Sequence, residues 1–373
     1  MKVPFLDLKV TDSNHKKSLL RNLKDILEHG RVIEGPELFE FEKKMANYLK
    51  TKHVVGLSSG SSAIYLALKA LNVKKGDEVI TTPFTWIITV NAILEVGAKP
   101  IFVDIKDDFN IDPEKIGSKI TKKTKAIVPM HVGGHMCEME KISQIAKKNN
   151  LYVVEDAAQA IVSSLNKKKA GYFSDISAFS TNPMKMLNGL GESGFVSTRN
   201  TNLKKKILYL RHAGTVRDKK KIHINNCVEG SLNHKMDTLQ ASFLITNLKK
   251  LETKRKKREN FAKIYDNELK NYLEPQGYHK NEIHGRYLYI SKSDKRNDLY
   301  NFLLNKNIEC KIFYSPLACN APIFKKNNYK GKFKNADKLL KRSISLPLYE
   351  NLSNSQIEYV CDNVKKFFRN KFK

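Results

Sequence analysis

The sequence predicts an α/β protein in which a mostly parallel, seven-stranded sheet flanked by helices forms the large domain and a smaller α+β domain follows it. Three observations predict this. Between about residues 53 and 199, short apolar runs rich in β-branched residues alternate with helix-like segments or turns, the pattern of strands buried on both faces. From about Met236 the pattern changes to a long amphipathic stretch and then to short strands and helices. The 373 residues are also enough for a sizeable core and two domains, at roughly 100–200 residues each. The division falls at 1–235, an N-terminal arm and the large domain, and 236–373, a linking helix and the small domain.

In order, the strands are HVVGL, EVITTPF, KPIFVDI, KAIVPMHV, LYVVEDAA, ISAFS and GFVST. Helical patterns at 61–71, 85–96 and 137–148 lie among them, and Lys75-Gly76-Asp77 and Gly97-Ala98 mark turns. The later stretch DTLQASFLITNLKKLETKRKKRENFAKIYDNEL reads as one long helix. Short strands near 286–291 and 308–313 and helices at 295–305 and 355–368 complete the small domain.

Lys and Arg number 67 against 38 Asp and Glu, for a net charge of +29, while 41% of residues are hydrophobic and 28% charged. Those fractions exclude collagen-like, coiled-coil and disordered chains. No apolar run approaches the ~18–20 residues of a membrane span, and MKVPFLDLKV carries acids and lysines where a signal peptide would be apolar. A soluble, cytoplasmic protein is expected. Cys137, Cys227, Cys310, Cys319 and Cys361 are odd in number and scattered, so neither a disulfide framework nor a metal site is expected. The charge attracts polyanions or small phosphorylated substrates. Its one dense run, residues 249–258, reads as a solvated helix face, and without a zinc-finger or RNP-type motif no dedicated nucleic-acid partner is expected.

Ligands of open α/β sheets sit at the carboxyl ends of strands, so the residues after each apolar run are the candidates. After HVVGL comes Ser58-Ser59-Gly60-Ser61-Ser62, opening a helix. Small residues, hydroxyls and free N–H groups suit a phosphate, although a serine N-cap without a ligand has the same signature. After LYVV comes Glu155-Asp156, with Gln159 three residues on. A buried acid there needs a cation such as a protonated ring nitrogen, a metal or an arginine; the alternative is a turn cap. After ISAF come Ser180 and then Lys185, flanked by Pro183, Met184, Met186 and Leu187 and followed by NGLGESG. Desolvation makes a lysine amine nucleophilic, as Schiff-base chemistry requires, while a lysine that only binds an anion remains the alternative. The one tryptophan, Trp86, follows another strand and could stack on a ring or belong to the core. Together these supply the phosphate cup, pyridinium acid, stacking aromatic and Schiff-base lysine that pyridoxal 5′-phosphate (PLP) needs.

The order of motifs resembles that of the DegT/DnrJ/EryC1/StrS family of PLP-dependent sugar aminotransferases, of the aspartate aminotransferase fold type I. The resemblance covers almost the whole chain: VPFLDLK, VIEGPELFEF, SSGSSAIYLALKAL, GDEVITTPFTW, GAKPIFVDI, VVEDAAQA, FSTNPMK, GLGESG, SLNHKMDTLQAS and ISLPLYENLS occur in family order. It implies Lys185 as the catalytic Schiff-base lysine, Asp156 on the pyridine nitrogen and Gln159 beside the phenolic oxygen. Gly60, Ser61, Ser62 and Ser180 match phosphate-binding positions, and Trp86 the stacking aromatic. Asn233 matches an asparagine that reaches the phosphate of the neighbouring subunit, which implies a homodimer with shared sites. His131 could face substrate or be structural.

Four features depart from the family pattern: Ile161-Val162 after AAQA, the GLGESG loop, Lys235 and Glu138. Several of them could border the substrate. The resemblance implies amino transfer, with glutamate as donor, to a nucleotide-linked keto sugar for surface glycans. A small phosphorylated ketone is an alternative acceptor, and a non-catalytic binding or regulatory protein is an alternative role. The family's dehydratases that carry His in place of the lysine are disfavoured by Lys185.

Overall fold

The computed structural model describes residues 1–216, 225–325 and 331–370. An N-terminal arm leads to α1 (Ser13–His29) and α2 (Pro36–Leu49), two helices that the sequence reading above does not include. Asp12 caps α1 by accepting a hydrogen bond from the His15 N–H. Gly30 ends it at φ 68°, a left-handed conformation that a residue without Cβ adopts at little cost. Helix α2 buries Leu38, Phe41, Met45 and Leu49, one stripe at helical spacing.

Strands and helices then alternate: β1 (His53–Leu57), α3 (Gly60–Ala70), β2 (Glu78–Thr81), α4 (Ile87–Glu95), β3 (Lys99–Phe102), β4 (Thr124–Ile127), α5 (Met139–Lys148) and β5 (Tyr152–Asp156). A small hairpin, β6 (Ser164–Leu165) and β7 (Lys168–Lys169), precedes β8 (Ile176–Ser180), β9 (Gly194–Thr198) and α6 (Thr201–Arg211). All seven expected strands form one sheet in the order β1-β9-β8-β5-β4-β2-β3. Only β9 opposes the others; it pairs antiparallel with both β1 and β8. Leu66 of α3, Ile93 of α4 and Ile207 of α6 belong to one apolar cluster against the sheet. Phe41, Ile142 of α5 and Leu244 belong to another.

The chain continues as α7 (Thr238–Leu248), α8 (Leu251–Leu269), β10 (Glu274–Pro275), β11 (Glu282–Ile283), β12 (Tyr289–Lys292), α9 (Arg296–Asn305), α10 (Pro322–Lys325), α11 (Lys334–Arg342), β13 (Ser343–Leu346) and α12 (Asn354–Asn370). Strands β10, β12 and β13 form an antiparallel sheet, and β11 joins the β6–β7 hairpin. Tyr265, Leu299, Ile344 and Val360 centre a third core between α8, α9, β13 and α12.

Two expectations are corrected. The single long helix is two, interrupted at Lys249 and Lys250, because α7 packs Ala241 and Leu244 with the large sheet while α8 packs Ala262 and Tyr265 with the small one. Residues 308–313 make no strand. Ile308 bridges Val3 of the N-terminal arm and Lys311 bridges Ser345, so consecutive pairing with one partner never develops.

Gly194, the first residue of β9, lies opposite Leu57 and Ser180. A Cβ added there would come within 2.5 Å of the Ser59 carbonyl carbon and 2.6 Å of the Gly60 nitrogen. Backbone cannot rotate aside as a side chain can. Gly194→Ala is therefore expected to destabilise the fold by about 1–3 kcal/mol, read as a lower melting temperature in calorimetry. An unchanged melting temperature would show that the β1–α3 turn yields freely.

Candidate active site

The carboxyl ends of β1, β2, β5 and β8 open on one cavity of about 880 Å³, lined by Gly60, Ser61, Trp86, Asp156, Gln159, Ser180 and Lys185 among others. This is where an open parallel sheet leaves helix N-termini and loops free to meet a ligand. Seven of the nine predicted cofactor residues, those just named, are thus brought together.

At the start of α3 the Ser59 hydroxyl accepts a hydrogen bond from the Ser62 N–H at 3.0 Å. The N–H groups of Gly60 and Ser61 have no acceptor among the described residues and stand free for an anion. Residue 60 must be glycine, since a Cβ would lie 2.7 Å from that of Ser180. Ser62 is placed differently from its neighbours. Its Oγ bonds Ser58, Ser59 and Nδ1 of His234 at 2.9–3.0 Å and does not line the cavity, so its side chain braces the turn from behind.

Asp156 is buried, and its carboxylate accepts from the Thr89 hydroxyl at 2.7 Å and the Ala158 N–H at 3.2 Å. Burial pushes its pKa up, against these two donors and the charge of Lys185. Among the described residues no cation lies within salt-bridge distance of it. Gln159 uses both ends of its amide: Oε1 accepts from the Gly133 N–H at 2.7 Å and Nε2 donates to the Tyr314 hydroxyl. Lys185, half-buried, donates from Nζ to the Tyr287 hydroxyl at 3.4 Å and lies 4.5 Å from the centre of that ring. Trp86 is 58% exposed, which removes the reading of it as a core residue; its ring centre is 6.4 Å from that of Tyr314.

Asn233 is exposed and outside this cavity, where its Oδ1 accepts from the Lys235 N–H at 3.3 Å. His131 does not face a substrate. It is fully buried, with Nε2 2.9 Å from Glu155 and Nδ1 accepting the Cys137 N–H, so it is a structural link between β4 and β5. Ile161 and Val162 lie in the large core, Lys235 meets His212, Glu138 pairs with Lys106 and Lys141, and Ser193 bonds Thr181. Of the departures only the GLGESG loop reaches the cavity, through Glu192, which accepts from the Asn182 amide; Ile161, Val162, Lys235 and Glu138 lie elsewhere, which corrects the expectation for those four.

Sequence reasoning missed Thr89, Tyr287, Tyr314 and Arg258. Arg258 is the buried member of the lysine-rich run: its guanidinium holds Glu350 at 2.9 Å and the Tyr287 carbonyl at 3.2 Å. Its signal was available, because residues 251, 258, 262, 265 and 269 form the buried stripe of α8.

The geometry fits PLP: a buried carboxylate with no cation beside it for a cationic ring nitrogen, free N–H groups for a phosphate, and a lysine amine lining the same cavity. The family model of DegT/DnrJ/EryC1/StrS aminotransferases matches residues 13–365. The chain belongs to that family. Among its relatives, a pleiotropic regulatory protein of Geobacillus stearothermophilus is 35% identical over 99% of both chains. The dTDP-3-amino-3,6-dideoxy-alpha-D-galactopyranose transaminase of Aneurinibacillus thermoaerophilus is 33% identical over 98% of this chain and 99% of that protein. The crystal structure of NtdA from Bacillus subtilis with bound cofactor PMP superposes with a TM-score of 0.91 at 30% identity, over 99% of this chain and 85% of that one. This family member is accordingly a PLP-dependent aminotransferase of fold type I.

Reduction of the PLP-loaded enzyme with borohydride is expected to leave a pyridoxyl mass on the peptide containing Lys185, and Lys185→Ala is expected to retain none. A label on another lysine would move the assignment.

Proposed function

We propose that this aminotransferase moves an amino group from L-glutamate to the ketone of a nucleotide-linked keto sugar, for surface glycan biosynthesis. One observation carries the acceptor class. The site cavity shares Lys185 and Arg258 with a second cavity of about 510 Å³, whose wall adds Lys9, Lys250, Lys254 and Lys257. Lys250 is paired with Asp12 and Lys254 with Glu350, but the Lys9 and Lys257 side chains have no acidic partner among the described residues. Such a wall attracts an extended anion, which a nucleoside diphosphate is. The name of the Aneurinibacillus relative, a dTDP-sugar transaminase, supports the same class.

In this reading PLP supplies, when bound, a carbonyl that captures an amine and a ring that takes up electrons. Asp156 sets its negative charge against the ring nitrogen, and the Gly60 and Ser61 N–H groups, with Ser180, hold the phosphate. Trp86 offers its exposed ring for stacking. Lys185, steered by Tyr287, takes the proton from the donor's Cα and in the second half of the cycle returns one to the acceptor carbon. Asn233 completes the neighbouring subunit's site in a homodimer. The domain division at 235/236 and a cytoplasmic location belong to the same proposal. Among the described residues no helix is long and apolar enough to cross a membrane. A purely regulatory role has against it the intact pair of Lys185 and Asp156 in one cavity.

With glutamate as donor, 2-oxoglutarate release is expected from nucleotide-linked keto sugars and not from small phosphorylated ketones, and Lys185→Ala is expected to be inactive with both. Turnover of small ketones alone would overturn the acceptor class. Mixing inactive Lys185→Ala and Asn233→Ala chains is expected to restore activity, because a hybrid dimer has one site free of both changes. Subunit exchange without recovery would refute the shared site.

A further inference from the structure

A second polar cluster lies outside both cavities, where the loop between β4 and α5 meets the segment leading into β11. His135 is buried, with Nδ1 2.7 Å from Oε2 of Glu282 and Nε2 3.2 Å from Oδ2 of Asp108. The half-buried His279 packs its ring 4.7 Å from that of His135. One ligand atom from each of His135, His279 and Glu282 lies within 4.8 Å of the other two.

We propose that His135, His279 and Glu282 bind a zinc ion, with Asp108 orienting His135 from behind. Two imidazoles and one carboxylate are the donor set of zinc and its borderline neighbours, whereas calcium and magnesium seek oxygen. Metal-binding side chains keep their orientation through partners on their remaining polar atoms, and all three have such partners here. Asp108 takes Nε2 of His135. The Met136 carbonyl lies 3.0 Å from Nε2 of His279, which leaves Nδ1 with its lone pair. The Met136 N–H donates to Oε1 of Glu282 at 2.7 Å, and Oε2 accepts the His279 N–H at 3.1 Å. His284, buried and stacked at 5.9 Å on His135, turns its own Nδ1 to the Arg286 N–H and walls the site without joining it.

The ion would act structurally. Gly133 and Gly134 accept hydrogen bonds from Tyr287, Leu288 and Gly285, so the two segments are already stitched beside the cluster. Gly133 also donates to Gln159, and Tyr287 lies against Lys185. Zinc at residues 135, 279 and 282 would lock the strap that presents Tyr287 to the site. The competing state of the same groups is a buried imidazolium between two carboxylates. Burial pulls the His135 pKa down, but the hydrogen bonds to Asp108 and Glu282 prevail and hold it up at about 9.

The test uses PLP-loaded enzyme carrying Cys227→Ser, because that exposed thiol would itself take zinc. The protein is equilibrated with zinc chloride and dialysed, and metal is counted by mass spectrometry alongside the melting temperature. About one zinc per chain is expected, with a raised melting temperature. Asp108→Asn is expected to loosen zinc about 10–100-fold while leaving all three ligands. His279→Asn, at a half-buried position the fold can absorb, and Glu282→Gln are expected to lose both retained zinc and the thermal shift. The proposal is overturned if the parent retains no zinc above the dialysis buffer. Retention undiminished in His279→Asn and Glu282→Gln also overturns it, and either result leaves the imidazolium bridge as the role of the cluster.

Discussion

Asp156 ends β5, the middle strand of seven, and is withdrawn from water on every side. A carboxylate in that position is costly unless a cation meets it, and among the described residues two neutral donors lie within hydrogen-bond reach. Burial therefore drives the group toward protonation, while a ring nitrogen carrying a proton would reverse that balance. The surrounding architecture follows from holding this one charge. Thr89, which donates to it, lies in the first turn of α4, and Trp86 is the N-cap of the same helix. The donor to the acid and the exposed aromatic ring are thus fixed to one rigid element.

The reversed direction of β9 does comparable work on the other side of the cavity. An antiparallel strand between β1 and β8 begins where they end, so Gly194 sits beside Ser59, Gly60 and Ser180 at once. Backbones this close leave no volume for side chains, and glycine at 60 and 194 is what lets α3 aim its free N–H groups at the end of β8. Ser62 and His234 then brace the turn from outside, which is why a serine that shares the motif does not share the cavity.

The strands of the large sheet were legible because each is a short, nearly continuous apolar run, the one pattern that burial on both faces imposes. Asp156, Lys185 and Gly60 were legible for a related reason, since chemistry placed just after such runs falls at one edge of the sheet. Two-residue strands such as β6, β7, β10 and β11 carry no periodicity to read, and α1 and α2 precede the region where alternation begins. Local sequence also cannot report distant partners. Gln159 is separated from Tyr314 by 155 residues and Lys185 from Tyr287 by 102. His131 and the departures at Ile161, Val162, Lys235 and Glu138 look like site residues by proximity in sequence, and only packing reveals that they face elsewhere.

The lysine-rich run shows how a composition argument fails at one residue while holding for its neighbours. Arg258 occupies the buried stripe of α8, and there its charge has a defined duty. Glu350 is largely buried, which would raise its pKa, yet Arg258 and Lys254 hold it down at about 2. A depressed carboxylate contributes stability that is complete above the ordinary carboxylate range and is lost as the pH falls toward 2. Across the pH range of a neutral cell Glu350 therefore stays ionised. The same guanidinium binds the Tyr287 carbonyl, and the Tyr287 ring and hydroxyl meet Lys185. Glu350, Arg258, Tyr287 and Lys185 make a continuous set of contacts from the segment before α12, through α8 and the β11–β12 connection, to the Lys185 amine. One route from the small domain to the site thus runs through this ion pair, beside the Tyr314 hydroxyl on Gln159, and moving α8 relative to the large sheet would move the amine's neighbour with it.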